Sequence, residues 1–175
     1  MSSKSKTLLI IGGTGFFGKS IIDYIFRYRS FKNINRILLL SRGVSPIKIS
    51  SKLNKKIKII NIYGNIVNLK KIPYADYVIY CSIIHDYKKD YKAVCNYYKL
   101  AKKYHLKSKI LFTSSGAVYG LQPPQVNKIK ENYLLKNKNL ILRENAKDVK
   151  FSKRKNLIDR LILDEKRIEG IRTSI

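Results

Sequence analysis

The 175-residue sequence predicts an α/β fold in which helices cover both faces of a doubly wound parallel sheet. Short apolar runs alternate along the chain with segments whose apolar residues recur at helical spacing. The run within residues 36–41 is apolar without interruption, which suits a parallel strand buried on both faces. A glycine-rich turn joins the first apolar run directly to the first helical segment, so the chain opens with a strand, a tight turn and a helix.

The predicted elements follow one another in a regular order. Five strands are predicted, at residues 7–11, 36–41, 57–62, 77–81 and 109–113. Apolar residues at helical spacing predict a helix after strand one, namely Ile21, Ile22, Ile25 and Phe26. Further helical segments are expected as a short turn at 68–71, a helix starting at Asp90 and a helix at about 151–165. Residues 121–150 are the least regular, residues 170–175 are typical of a sixth strand just beginning, and we expect one domain over 1–175.

The glycine-rich turn has the spacing Gly12-x-x-Gly15-x-x-Gly18. One glycine allows the tight turn, one lets the backbone approach a pyrophosphate, and one lets the helix pack closely on the strand. Free N–H groups and the macrodipole at the helix start favour phosphate there. Thr14, Phe16 and Phe17 complete the loop, although an ordinary turn would also fit the glycines taken alone.

Three stretches together resemble the extended short-chain dehydrogenase/reductase family, the NAD(P)-dependent epimerases and dehydratases that act mostly on nucleotide sugars. They are residues 12–18 (Gly-Gly-Thr-Gly-Phe-Phe-Gly), 76–82 (Asp-Tyr-Val-Ile-Tyr-Cys-Ser) and 112–120 (Phe-Thr-Ser-Ser-Gly-Ala-Val-Tyr-Gly). Glu131 also stands where the family often has an acid. The resemblance implies a Rossmann-type sheet that is truncated at the start of strand six, with the C-terminal substrate domain absent. Whether the chain is a fragment of a longer protein, a frameshifted remnant or a reduced relative stays open.

The end of strand two predicts NADP rather than NAD as the cofactor. An acid at this point bonds the ribose 2′-OH of NAD, whereas an Arg accommodates the 2′-phosphate of NADP, and the chain has Ser41-Arg42-Gly43. Arg42 offers a planar fork of donors that matches a phosphate, although a solvated surface Arg is the alternative. The resemblance further implies that Asn65 and Ile66 lie beside the adenine and that Ser82 lies near the ribose. No metal is expected.

The resemblance assigns the chemistry to Ser115, which would bond the reacting oxygen, and to a Tyr-x-x-x-Lys pair. The aligned position has Phe151 and Lys155, so Lys155 can bind the nicotinamide ribose but Phe151 has no hydroxyl to exchange a proton. Three explanations stay open. Tyr119 or a substrate-bound water moves the proton, the protein binds cofactor without efficient catalysis, or the alignment across 121–150 is wrong.

Composition restricts the partners. Thirty-seven Lys and Arg against 11 Asp and Glu give a net charge of +26, spread over every segment, and no nucleic-acid motif accompanies it. We expect non-specific polyanion binding at low salt. No apolar run approaches the roughly 20 residues of a membrane helix, so no membrane partner is expected. Cys81 and Cys95 lack metal-ligand spacing and predict two buried thiols in a reduced, cytoplasmic location.

The sequence thus predicts an NAD(P)-binding domain of nucleotide-sugar epimerase, dehydratase or reductase type, whose chemistry begins with hydride transfer at a sugar carbon. A nucleotide sugar is the expected substrate, and a homodimer is possible. Whether the chain is an enzyme stays open, because a catalytically silent dinucleotide-binding or interaction module also fits Phe151 and the missing C-terminal part. A basic polyanion binder that only inherited the fold is a second rival.

Overall fold

The computed structural model describes residues 5–28, 33–43, 57–113 and 172–174, and these residues form six strands and two helices. The strands are β1 (Lys6–Ile11), β2 (Ile34–Ser41), β3 (Lys58–Tyr63), β4 (Tyr77–Tyr80), β5 (Lys109–Phe112) and β6 (Arg172–Ser174). The helices are α1 (Phe16–Tyr28) and α2 (Tyr87–Tyr104). The five longer strands agree with the predicted ones to within two residues at either end.

All six strands run parallel in one sheet, in the order β3-β2-β1-β4-β5-β6. The chain first builds outward from β1 to β3, and it then returns to the other side of β1 to build β4, β5 and β6. This is the strand order of a doubly wound Rossmann sheet, so the predicted fold class is confirmed. The strand order therefore changes direction between β1 and β4, whose carboxyl ends lie next to the glycine turn.

Two apolar cores lie on the two faces of the sheet. On one face, Ile22, Ile25 and Phe26 of α1 pack on alternate residues of β1 and β2. On the other face, α2 packs on β4 and β5 through its apolar side, which includes Val94 and Tyr97. Residues 37–40 of β2 are all buried, as expected of a strand that contributes side chains to both cores.

The start of α2 differs from the prediction. Asp86, not Asp90, caps the helix, and its Oδ1 accepts a hydrogen bond of 3.1 Å from the Lys89 N–H. Asp90 lies in the first turn, where it is buried and accepts a bond of 2.9 Å from the Ile84 N–H. The sequence pattern was misleading because an acid suits both a cap and a first helical turn, and only the chain path before the helix distinguishes them.

Two other predictions are affected by the structure. The expected helical turn at 68–71 is instead a hydrogen-bonded turn in which the Asn68 N–H donates to the Asn65 carbonyl at 3.1 Å. The predicted helix at 151–165 and the irregular segment 121–150 lie outside the described residues. Neither described helix combines the length and the apolar character that crossing a bilayer requires.

Candidate functional site

A cleft of about 410 Å³ lies at the carboxyl ends of β1, β2 and β4, with the glycine turn as its floor. The strand order changes direction between β1 and β4, and a crevice at such a switch point is where open α/β sheets bind ligands. The cleft is lined by Ile11, Gly12, Thr14, Gly15, Phe16, Phe17, Leu40, Ser41, Arg42, Gly43, Gly64, Ile66, Cys81, Ser82 and Ile83.

Gly12 is the residue at which the turn depends most on glycine. Its φ is +91°, a conformation that side chains with a Cβ rarely adopt. A Cβ here would also lie 2.8 Å from the Ser82 nitrogen and 2.9 Å from its Cα. The Gly12 N–H donates to the Leu40 carbonyl at 2.9 Å, which ties the turn to the end of β2. Gly12 therefore sits in close contact with the ends of both strands that flank β1.

Gly18 lies behind the cleft and does not line it. It is buried in α1, and a Cβ built on it would overlap the Gly13 carbonyl group, with 2.6 Å to the Gly13 Cα. Gly13 in turn is tightly packed, because a Cβ on it would lie 3.0 Å from the Leu39 side chain, which would have to shift by a few tenths of an ångström. The two glycines let α1 start directly against the turn. The sequence assigned no role to Gly13, although its place in the loop was a usable signal.

The first turn of α1 faces the cleft without an acidic side chain. The Gly15 N–H bonds back to the Gly12 carbonyl, and the Lys19 N–H makes the first helical bond, to the Gly15 carbonyl, both at 3.0 Å. The N–H groups of Phe16 and Phe17 belong to those that the start of a helix leaves without an intrahelical partner. Because no carboxylate offsets the macrodipole at this end, the position favours an anion.

The opposite wall of the cleft is formed by the residues that follow β2. Ser41 is buried and its Oγ donates a 3.2 Å hydrogen bond to the Gly43 carbonyl, whereas Arg42 is exposed at the rim. Among the described residues that line the cleft none is Asp or Glu. Among the described residues, the cleft therefore carries a guanidinium and no carboxylate at the end of β2.

Of the pair predicted beside the adenine, the structure brings only Ile66 to the cleft. Ile66 is buried and lines the cleft, while Asn65 is exposed and its Oδ1 accepts a 3.1 Å bond from the Val67 N–H. The sequence did not single out Asn96 of α2, whose Nδ2 donates to the Ile66 and Leu69 carbonyls at 2.8 and 2.9 Å. Asn96 thus fixes the turn that holds Ile66, a contact between segments that no local pattern reveals.

Ser82 and its neighbours close the cleft on the β4 side. Cys81 donates through Sγ to the Ile11 carbonyl at 3.3 Å, and burial raises its pKa to about 11, so its thiol stays protonated at neutral pH. Cys81 and Cys95 are free cysteines, but both are partly exposed, so the prediction of two buried thiols is wrong in degree. Ile83, which the sequence did not single out, is exposed at the cleft.

The predicted catalytic residues lie outside the described residues. This applies to Ser115, Phe151 and Lys155, and also to Tyr119, the suggested alternative proton donor. Within the described ranges no three His, Cys, Asp or Glu side chains come close enough together to hold a metal ion. Of the residues predicted to bind the cofactor, the structure brings most to one cleft, with Gly18 behind it. Those at the cleft are Gly12, Thr14, Gly15, Phe16, Phe17, Arg42, Ile66 and Ser82.

No family model and no curated protein sequence matches the chain, but many solved structures share its fold. The enzyme WbmF of Bordetella bronchiseptica, solved with NAD+, has a TM-score of 0.60 at 13% identity over 99% of this chain and 49% of its own. Uronate dehydrogenase of Agrobacterium tumefaciens, solved with NAD, has a TM-score of 0.63 at 14% identity over 97% and 59%. UDP-N-acetylglucosamine 4-epimerase of Bacillus cereus has a TM-score of 0.61 at 14% identity over 97% and 54%. The chain spans about half the length of such structures, and at these identities the likeness shows a shared fold.

Proposed function

We propose that the chain binds a nicotinamide dinucleotide across the cleft, with NADP preferred over NAD. The observation that carries the proposal is the Gly12 turn, which lies against the residues that follow β4 and leads directly into the α1 N-terminus at the cleft. A pyrophosphate needs such a backbone cradle without side chains, next to free N–H groups. Gly12, Gly15 and the N–H groups of Phe16 and Phe17 would hold it.

The shape of the cleft supports a ligand of this kind. Its volume of about 410 Å³ lies within the range of small-molecule sites, and it extends from the β4 side past the glycine turn to the end of β2. A Cβ at Gly12 would collide with the Ser82 backbone, so the turn needs glycine to lie this close to the end of β4. Apolar Ile66 provides a wall for a flat ring on the β2 side. Ser82 would lie near the ribose at the other end.

Arg42 supports NADP as the preferred form. Its guanidinium stands at the end of β2, where the ribose 2′ position of a dinucleotide would lie, and no described carboxylate of the cleft competes for the 2′-OH. Hydrogen bonds to a charged partner contribute about 1.5–3 kcal/mol, which corresponds to roughly 10- to 150-fold in affinity.

Titration with NADP and with NAD tests both parts of this proposal. We expect wild-type protein to bind NADP more tightly than NAD. Arg42→Ala should lower NADP affinity by about 10- to 150-fold and leave NAD affinity within about twofold. Arg36→Ala is the matched control, because Arg36 is an exposed Arg near the opposite end of β2 and should change neither affinity. Binding of neither cofactor would overturn the site, and tighter binding of NAD would overturn the role of Arg42.

We further propose hydride transfer at a sugar carbon of a nucleotide sugar as the chemistry, in an epimerase, dehydratase or reductase type of reaction. Two proteins that share the fold are named as a dehydrogenase and an epimerase of sugars, which supports this class of substrate. The nicotinamide would supply the hydride acceptor. Ser115 would bond the substrate oxygen and Lys155 the ribose, while Phe151 can occupy the place of a ring but exchanges no proton. Phe151 is also the feature that favours the alternative, a silent dinucleotide-binding or interaction module.

A further inference from the structure

The solvent side of α2 carries a straight row of four lysines, Lys88, Lys92, Lys99 and Lys103, which we name the lysine ladder. Their spacing of four, seven and four residues places all four within about 60° of the helix circumference. The row extends for about 22 Å along the helix axis. All four side chains are exposed. Four of the 37 Lys and Arg residues, which are spread over every segment of the sequence, are thus aligned on this surface.

The acidic residues of α2 do not neutralise the ladder. Asp86 is used as the helix cap and lies 3.9 Å from Lys89, which is not part of the ladder. Asp90 is buried on the opposite side of the helix and bonds the Ile84 N–H. Within the described part of the chain, no ladder lysine forms an ion pair. The four ammonium groups therefore present a field of one sign to solvent.

Two further exposed lysines follow a turn that is held beside α2. The turn that contains Ile66 and Leu69 is held against the helix by the hydrogen bonds from Asn96. Lys70 and Lys71 follow that turn directly and are both exposed. Asn96 lies between Lys92 and Lys99 in sequence, so the turn that these two lysines follow is held at the middle of α2.

The chemistry of α2 favours a nucleic-acid backbone over a membrane. A helix that binds a bilayer surface presents an apolar face to the lipid. The apolar face of α2, with Val94, Tyr97 and Ala101, is buried against the sheet, and the ladder face offers ammonium groups. A row of about 22 Å can lie alongside a duplex, whose strands each carry one phosphate per 3.4 Å of axis, so that several phosphates come within reach of the four ammonium groups.

We propose that the lysine ladder is the surface on which this chain binds double-stranded nucleic acid, through backbone phosphates and without sequence preference. The proposal is independent of the dinucleotide cleft, because α2 covers one face of the sheet and the cleft lies at the strand ends. Each phosphate contact adds about 0.9 to the slope of log affinity against log salt concentration. Four contacts give a slope of about −3.6, or a loss of about 150-fold between 50 and 200 mM salt.

The test compares two variants of equal net charge in binding to two short DNA duplexes of unrelated sequence. The ladder variant is Lys88→Gln, Lys92→Gln, Lys99→Gln and Lys103→Gln, where Gln retains good helix propensity. The matched control is Arg36→Gln, Lys58→Gln, Lys107→Gln and Lys109→Gln, which removes four exposed charges from other parts of the chain. Affinity is measured over a salt series, and circular dichroism and NADP titration check that fold and cleft are retained.

The expected result is a loss of at least about 100-fold in low-salt affinity and a decrease of about 3 to 4 in slope for the ladder variant, equally for both duplexes. The control should change the slope by less than about 1. Equal losses in both variants would show that only net charge matters and would overturn the proposal. Ladder-dependent binding to phosphatidylserine vesicles that exceeds binding to DNA at the same salt would also overturn it, in favour of a membrane. In wild-type protein, DNA should protect Lys92 and Lys99 from acetylation but not Lys58.

Discussion

Substitution of Gly12 by Ala tests the central feature of the site, the close contact between the turn after β1 and the end of β4. The added Cβ would meet three backbone atoms, the Ser82 nitrogen at 2.8 Å, its Cα at 2.9 Å and the Cys81 carbonyl carbon at 3.0 Å. Backbone cannot swing aside as a flexible side chain can. The residue would in addition hold its φ of +91°, which is strained for Ala.

The expected loss of stability follows from these two effects. Holding a residue other than Gly in such a conformation costs about 1–3 kcal/mol. Overpacking of the added Cβ against fixed backbone atoms costs about 1–3 kcal/mol more. Ala also restricts the unfolded chain, which offsets about 0.4–1 kcal/mol. We therefore expect Gly12→Ala to lower the free energy of unfolding by about 1–5.6 kcal/mol, whereas the whole free energy of unfolding of a domain is typically about 5–15 kcal/mol.

Urea unfolding monitored by circular dichroism measures this difference, with Gly43→Ala as the control. Gly43 lines the same cleft, but a Cβ on it would meet no atom within 4 Å. Gly43→Ala should leave the free energy of unfolding unchanged or raise it by up to about 1 kcal/mol. The reasoning would be refuted if Gly12→Ala unfolded within about 1 kcal/mol of wild type, or if both variants lost the same amount.

Two further variants test an ion pair and the proposed chemistry. Asp76 accepts hydrogen bonds from Lys6 Nζ at 2.7 Å and from the Thr7 N–H at 2.9 Å. Burial raises the pKa of Asp76, but these hydrogen bonds outweigh burial and hold the pKa below its usual value. A lowered folded-state pKa stabilises the folded protein above pH about 4, and this stabilisation is lost as pH falls. The free energy of unfolding should therefore drop more steeply from pH 5 to 3 in wild type than in Asp76→Asn. Parallel curves of unfolding free energy against pH would contradict this. Phe151→Tyr should raise the rate of hydride transfer from a nucleotide sugar to NADP, measured by absorbance of the reduced cofactor. If wild type is fully active and Phe151→Tyr is neutral or harmful, either the reaction does not need a hydroxyl at residue 151 or the alignment is wrong.

The strands and the first helix could be predicted from sequence because each depends on a local pattern. Continuous apolar runs such as residues 37–40 and the helical spacing of Ile22 and Phe26 are set by what neighbouring residues can bury. The start of α2 was less predictable from the sequence than the strands and the first helix. Asp86 and Asp90 are both acids near a helix start, and their different roles depend on where the Ile84 N–H lies after β4.

The sequence by itself determined the glycine turn, the order of the elements and the charges at the end of β2, since these depend on residue type and spacing. Only the tertiary structure decided that Gly12 lies against Ser82, that Asn96 holds the turn containing Ile66, and that four lysines of α2 form one exposed row while Asp90 is buried. The physical reason is that β1 and β4 are neighbours in the sheet although about 65 residues separate them. That pairing arises from burial on both faces of the whole sheet, and no single segment contains the information for it.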